Sequence, residues 1–204
     1  MIECRVVGAM GANCYLVSCP ETKKAAVIDP GANPAGLQQW IDGKGVQVEY
    51  ILLTHGHIDH IGAVDGLRER YGAKVGIHKG DALMLTNSVQ NLSRLMGKAY
   101  EFKPADFFLE DGQLLQVGNL KIKVIATPGH TKGGVCFLTD EGLLSGDTLF
   151  QGSIGRTDFP GGSYQELIDS VVQKLLGLPE DTIVFPGHGP ETTIGREKRE
   201  NPFL

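Results

Sequence analysis

The chain has 204 residues and a formal net charge of -5, with 19 Lys and Arg against 24 Asp and Glu. This acidic balance argues against a protein that binds the phosphates of nucleic acids, and no apolar run approaches the about 18 residues that cross a membrane. We therefore expect a small-molecule partner rather than a nucleic acid or a membrane, and a single domain over residues 1–204.

The first third of the chain is predicted to be rich in strands. Short runs of apolar and β-branched residues occur in "IECRVV", "CYLVSC" and "KAAVIDP". A helix follows over Asn33–Gly45, with Pro34 in its first turn. Glu3 and Arg5 interrupt what could have been the apolar core of a secretion signal, so we expect a cytoplasmic protein. We expect its four cysteines to be buried, reduced thiols, because their spacing is not that of a zinc site: Cys4, Cys14, Cys19 and Cys136.

The next segment concentrates side chains that bind metals. The pattern predicts a buried strand over Glu49–His55 and a helix over Asp59–Gly72, so a strand-to-helix turn lies between them. Three of the six histidines and one aspartate lie within seven residues of this turn: His55, His57, Asp59 and His60. One such residue alone would usually be a packed histidine or a helix cap, but the group together is typical of a metal site.

After this turn the pattern predicts a strand in "AKVGIH" and a helical stretch over Gly80–Gly97. The large apolar residues of that stretch are predicted to pack in the core: Leu83, Leu85, Leu92, Leu95 and Met96. His78 ends the strand, and we predict that it lies at most near the rim of a pocket, with no assigned role.

Three later strands each end in a glycine next to a ligand-type side chain. "KIKVIATPGHTKG" presents His130, "GLLSGDTLF" presents Asp147 and "DTIVFPGHGP" presents His188. Glycine lets the backbone turn tightly, and α/β sheets place their sites at the carboxyl ends of strands. His55 and His57 can point one way from an extended segment, whereas Asp59 and His60 leave the turn in another direction, so the turn can offer ligands to two neighbouring metal ions. It cannot complete both sites alone, so we predict that His130, Asp147 and His188 supply the remaining ligands. An amphipathic helix is predicted over Ser163–Pro179.

The sequence Thr-His-Gly-His-Ile-Asp-His, followed by "TPGHT", "SGDTLF" and "PGHGP", resembles the metallo-β-lactamase superfamily over nearly the whole chain. Within it, the chain is most similar to the short, single-domain hydroxyacylglutathione hydrolases (glyoxalase II). The resemblance implies an α/β fold, a four-layer αβ/βα sandwich of two mixed β-sheets with helices on the outer faces. It also implies two divalent metal ions, zinc in the first place and iron or manganese as alternatives. Their ligands would be His55, His57 and His130 for the first ion, Asp59, His60 and His188 for the second, and Asp147 as the bridge.

The activity implied by the resemblance is hydrolysis of a thioester, S-(2-hydroxyacyl)glutathione such as S-lactoylglutathione. A hydroxide between the two ions would attack the carbonyl carbon, with Asp59 orienting it. A thiolate can leave without a general acid because the pKa of a thiol is about 8.5. Metallo-β-lactamases typically have Cys or Ser at the position of Asp147, so this residue argues against a β-lactamase.

The sequence also departs from that group. Long glyoxalase II enzymes bind glutathione through a C-terminal helical region, which we expect to be absent here, and the sequence leaves monomer and homodimer open. In "GSIGRTDFPGG", Arg156 is predicted to bind a substrate carboxylate by a two-pronged contact. "GRTDF" also resembles the persulfide dioxygenases, which hold one iron. In that alternative the iron ligands would be His55, His130 and Asp147, and the substrate glutathione persulfide.

Overall fold

Two six-stranded β-sheets lie face to face at the centre of the computed structural model, which describes residues 1–204. In the first sheet, the spatial order of the strands is their order in the chain. Its strands are β1 (Ile2–Val7), β2 (Ala12–Ser18), β3 (Lys24–Ile28), β4 (Gln47–Leu52), β5 (Lys74–His78) and β6 (Phe107–Leu109). The strands from β1 to β3 pair antiparallel and those from β3 to β6 pair parallel, so the sheet is mixed.

The second sheet has the spatial order β14-β13-β10-β9-β8-β7. Its strands are β7 (Leu114–Val117), β8 (Leu120–Ala126), β9 (Val135–Thr139), β10 (Gly142–Gly146), β13 (Ile183–Pro186) and β14 (Thr192–Thr193). It is also mixed, because β10 and β13 pair parallel while their neighbours pair antiparallel. A small hairpin, β11 (Leu149–Phe150) and β12 (Ser153–Ile154), stands beside it.

The helices are short. The α-helices are α1 (Pro34–Asp42), α2 (Ile58–Ile61), α3 (Val64–Tyr71), α4 (Ala82–Thr86), α5 (Tyr164–Ser170) and α6 (Ile194–Glu200). Two 3-10 helices cover Lys79–Asp81 and Ser93–Met96, and α5 continues into a π-helical turn at Val171–Leu175. None of the helices combines the length and the apolar character needed to cross a bilayer.

Buried apolar side chains fill the three spaces between the layers. Leu37 of α1 and Leu67 of α3 pack on the outer face of the first sheet. Phe137 lies between the two sheets with residues of both. Leu167 of α5 and Ile194 of α6 pack on the outer face of the second sheet. This arrangement confirms the predicted four-layer αβ/βα sandwich.

The predicted helix over Asp59–Gly72 is broken into α2 and α3. Ala63 donates its N–H to the carbonyl of Pro30 rather than to its own helix, over 2.8 Å. The chain after β3 also passes so close that a side chain at Gly62 would overlap with the carbonyl of Gly31. The helix therefore ends where the carbonyl of a neighbouring loop accepts the N–H that would otherwise continue the helix.

The stretch over Gly80–Gly97 is helical only in α4 and in the 3-10 turns. Leu85 is fully buried as predicted, but the prediction of a core position is wrong for three residues whose side chains are largely exposed: Leu83 (65%), Leu95 (77%) and Met96 (56%). The physical reason is the buried side chain of Asn91, which forms hydrogen bonds with backbone groups of this segment. These bonds take the place of the hydrogen bonds of a regular helix. Two further differences are α6, which the sequence analysis did not predict, and Cys4, which is exposed.

Candidate metal centre

The seven predicted ligand residues lie together at the carboxyl ends of four strands. His55 and His57 follow β4, and α2 begins immediately after them. His130 follows β8, Asp147 follows β10 and His188 follows β13. The two sheets therefore contribute ligands to one edge of the sandwich, although the residues are as far apart in the chain as His55 and His188.

Three imidazoles form the first cluster, and the ligand atoms of His55, His57 and His130 all lie within 4.8 Å of one another. His57 Nδ1 is 3.0 Å from His130 Nε2. The other ring nitrogen of His130 lies 2.6 Å from the carbonyl oxygen of Arg156. Because a carbonyl only accepts, that nitrogen carries the proton, and the lone pair of His130 Nε2 points into the cluster.

The second cluster consists of Asp59, His60 and His188, whose ligand atoms also lie within 4.8 Å of one another. His188 Nε2 is 3.1 Å from Asp59 Oδ2 and 3.2 Å from His60 Nε2. Asp147 lies between the two clusters. One of its oxygens is 3.4 Å from His60 Nε2, and the other is 3.6 Å from His130 Nε2.

These residues fit divalent metal ions. His55 Nε2 and Asp147 Oδ1 are buried and have no hydrogen-bond partner, although such atoms are costly to leave unpaired. The facing nitrogens of His57 and His130 would repel each other unless a proton or a cation lay between them. Imidazole nitrogen and carboxylate oxygen are ligands of first-row divalent metals, and this set suits zinc, iron or manganese.

The first cluster is built to be neutral. Burial lowers the pKa of His55 well below its usual value, and the neighbouring imidazoles act in the same direction. Burial, together with His130, lowers the pKa of His57 to about 3. Both imidazoles are therefore deprotonated near pH 7, which is the state that binds a metal.

The second cluster is charged. Burial alone would lower the pKa of His60, but Asp147 and Asp29 outweigh it and raise that pKa to about 10. The hydrogen bond to Asp59 raises the pKa of His188. Burial opposes ionisation of Asp59, yet the bond from His188 and the charge of His60 hold the pKa of Asp59 below its usual value. In the metal-free protein, a proton on His60 thus offsets the carboxylates around it.

Sequence reasoning missed Asp29 and Thr54, which support the ligands from behind. Asp29 is 2% exposed and accepts hydrogen bonds from the Thr54 N–H (2.8 Å) and hydroxyl (2.5 Å). It also lies 3.0 Å from His60 Nδ1. Since its oxygens are already used in this way, Asp29 is better described as a support for His60 than as a ligand. Its position at the end of β3, in "VIDP", was the available signal.

The same network sets the proton on His55. Thr54 donates its hydroxyl proton to Asp29, so its oxygen is free to accept from His55 Nδ1, 3.1 Å away. That hydrogen bond leaves the lone pair of His55 on Nε2, the atom without a partner. One carboxylate thus orients a histidine in each cluster.

Asp81 connects two ligand turns and was also missed. It is 1% exposed and accepts hydrogen bonds from the Thr131 hydroxyl (2.6 Å), the Gly133 N–H (2.7 Å) and the Gly56 N–H (3.3 Å). Gly56 lies between His55 and His57, and Thr131 follows His130. Asp81 therefore holds together the turns that carry the first cluster.

A cavity of about 520 Å³ opens beside the clusters. Five of the seven ligand residues line it, while His55 and His60 lie deeper. Arg156 also lines it, and its guanidinium makes two hydrogen bonds to the carboxylate of Asp158 (2.9 and 2.8 Å). Binding of a substrate carboxylate by Arg156 stays a prediction. His78 is outside the cavity lining and accepts a hydrogen bond from the Gly80 N–H.

Gly187 lets β13 approach Asp147. A methyl group at Gly187 would overlap with Asp147 Oδ1 and would lie 2.8 Å from His60 Cε1. We expect Gly187→Ala to displace Asp147 and to lower kcat/KM about 10²-fold, because small misplacements have effects of this size. Gly177→Ala is the control, since a methyl group there meets nothing within 4 Å. Equal activity of the two variants would contradict the tight packing of Asp147.

Comparison with known proteins agrees with this geometry. The family model of the metallo-beta-lactamase superfamily matches residues 7–188. The hydroxyacylglutathione hydrolase GloC of Haemophilus influenzae is 40% identical, over 100% of this chain and 97% of the relative. The crystal structure of the BLEG-1 B3 metallo-beta-lactamase is 40% identical, with a TM-score of 0.95 and coverage of 100% and 99%. The di-iron-bound form of TTHA1623 is 39% identical, with a TM-score of 0.88 and coverage of 99% and 100%. The chain belongs to the metallo-beta-lactamase superfamily.

Proposed function

We propose that this protein is a dinuclear metal-dependent thioester hydrolase, and that it hydrolyses an S-(2-hydroxyacyl)glutathione such as S-lactoylglutathione. The observation that carries the proposal is the pair of adjacent clusters with Asp147 between them. The name of the Haemophilus influenzae relative supports the choice of substrate. Zinc is the proposed metal, with iron or manganese as alternatives.

The residues divide the work as follows. One ion would be held by His55, His57 and His130, and the other by Asp59, His60 and His188. Asp147 would bind both ions. Bound there, two divalent ions supply Lewis acidity, which polarises a carbonyl and lowers the pKa of water. Asp59 lines the cavity, where its carboxylate accepts a hydrogen bond from the attacking water and orients it toward the carbonyl carbon.

The leaving group favours a thioester over an amide. A thiolate departs unaided because the pKa of its acid is about 8.5, whereas an amine must first be protonated. The carboxylates that line the cavity, Asp59 and Asp147, are both assigned to the ligand set. A thioester is therefore the acyl compound whose cleavage these residues support best.

Steady-state hydrolysis of S-lactoylglutathione without oxygen tests the proposal. We expect turnover by the metal-loaded protein, loss of turnover after chelation and recovery on adding zinc. Hydrolysis of a β-lactam is measured in parallel because BLEG-1 carries that description. No thioester hydrolysis by the metal-loaded protein would contradict the proposal and would favour the persulfide dioxygenase, which needs oxygen.

A further inference from the structure

Part of the cavity lining is apolar. It includes three residues of the segment that runs from Asn87 to Tyr100, which we call the 87–100 loop. They are Leu92, Leu95 and Met96. The side chains of Leu95 and Met96 are mostly exposed, so they do not stabilise the core. Large apolar groups that stand beside a ligand cluster, without contributing to the core, point to contact with a bound molecule.

Asn91 fixes the 87–100 loop to its surroundings. Its side chain is fully buried and donates to the carbonyls of Met84 (3.0 Å), in α4, and Tyr100 (2.9 Å), at the end of the loop. The main-chain carbonyl of Asn91 accepts a hydrogen bond from the Ile58 N–H over 2.9 Å. Ile58 lies between His57 and Asp59, so this bond sets the distance between the apolar wall and both clusters.

Leu92 shows that the loop is held in a specific shape. Its φ angle is +67°, in the left-handed region that a leucine rarely adopts. Such a conformation persists only where the surrounding contacts determine it. The bonds of Asn91 and the hydrogen bond from the Tyr100 N–H to Ser93 Oγ (3.0 Å) supply those contacts. The backbone of the loop is therefore held in this shape by its own contacts.

Apolar side chains from other parts of the chain also line the cavity. Phe159 packs edge-on against His57, with ring centroids 5.6 Å apart. The guanidinium of Arg156 lies over the ring of Phe159, 4.2 Å from its centroid, and is already paired with Asp158. Met10 and Phe150 line the cavity as well. The space next to the clusters thus has an apolar lining from several segments of the chain.

We propose that the 87–100 loop and Phe159 form a specificity pocket for an apolar substituent of the thioester, an alkyl chain or aryl ring larger than the methyl group of lactate. This inference rests on the proposed function. It assigns Leu95 and Met96 the role of selecting the substrate. The substituent can belong to the acyl part or to the thiol part, since both flank the reacting carbonyl.

The test compares acyl chain lengths on one thiol. We expect kcat/KM to rise about fourfold per methylene from S-acetylglutathione to S-hexanoylglutathione. A parallel series of acetyl thioesters of alkyl thiols tells which side of the thioester enters the pocket. In L95Q/M96Q the rise should be largely lost, whereas L83Q/L114Q, which changes two exposed leucines outside both the 87–100 loop and the cavity lining, should keep it.

Binding of thioethers, which cannot be hydrolysed, provides a second readout. We expect S-hexylglutathione to bind at least about tenfold more tightly than S-methylglutathione, and L95Q/M96Q to lose this difference. Thioester hydrolysis with no dependence on either chain, and equal binding of both thioethers, would overturn the pocket while leaving the proposed function intact. Selective binding without hydrolysis of any thioester would support the pocket and contradict the proposed function.

Discussion

Replacement of Asp147 by alanine is expected to lower kcat/KM for thioester hydrolysis by about 10³-fold or more. Asp147 is the residue that lies between the clusters, 3.4 Å from His60 Nε2 and 3.6 Å from His130 Nε2. In the proposed dinuclear site, its loss removes a ligand from both ions at once. A bound metal contributes several kcal/mol to catalysis, and about 4 kcal/mol corresponds to 10³-fold in rate.

The measurement pairs kinetics with metal analysis of the same samples. We expect Asp147→Ala to contain fewer metal ions per chain than the unaltered protein. Asp140→Ala is the matched control, because Asp140 is an exposed aspartate outside the cavity that holds the clusters. Full activity and an unchanged metal content in Asp147→Ala would show that Asp147 is not a shared ligand.

Asp29→Asn is expected to weaken metal binding by about 10- to 100-fold, the usual effect of losing a partner behind a ligand. Asparagine keeps the shape of aspartate and tolerates the left-handed backbone of Asp29, whose φ is +50°. Its amide nitrogen, however, donates where the carboxylate accepted. His60 can then place its proton on Nε2, the atom that faces Asp147, and lose the lone pair that binds the metal.

A spectroscopic signature separates this positioning role from a purely structural one. We record the ¹⁵N chemical shifts of the metal-free protein above the His60 pKa of about 10, where the ring has lost one of its two protons and the shifts report which nitrogen keeps the other. We expect the proton pattern of His60 to change in Asp29→Asn, while the free energy of unfolding changes little. Retention of the original pattern together with normal metal affinity would refute the positioning role of Asp29.

The sequence predicted which side chains meet in the two clusters because their signal is local. His130, Asp147 and His188 each come directly after a glycine at or just beyond the end of a strand, and the turn after β4 carries four more ligand-type residues. Strand ends can be recognised from short apolar runs, and the carboxyl ends of neighbouring strands meet in space. The positions of all seven residues therefore followed from short motifs, and the four-layer fold from the resemblance that these motifs carry.

Features that depend on distant contacts could not be predicted in the same way. Asp29 and Asp81 look like ordinary turn aspartates, and only the fold shows that they accept hydrogen bonds from the ligand turns. The apolar spacing of Leu92, Leu95 and Met96 indicated a core helix, because the pattern does not tell an apolar cavity wall from a buried face. Leu95 and Met96, to which we assign substrate selection, are two of the three residues whose predicted core position is wrong, and the third, Leu83, lies outside the cavity lining.

One titration tests the central claim most directly. Metal is added stepwise to the chelated protein without oxygen, and bound metal and thioester hydrolysis are measured in the same samples. We expect hydrolysis to be absent at the start, to rise with bound metal and to level off at two ions per chain. Hydrolysis by the metal-free protein, or full binding of two ions without any hydrolysis, would contradict the assignment of a dinuclear thioester hydrolase.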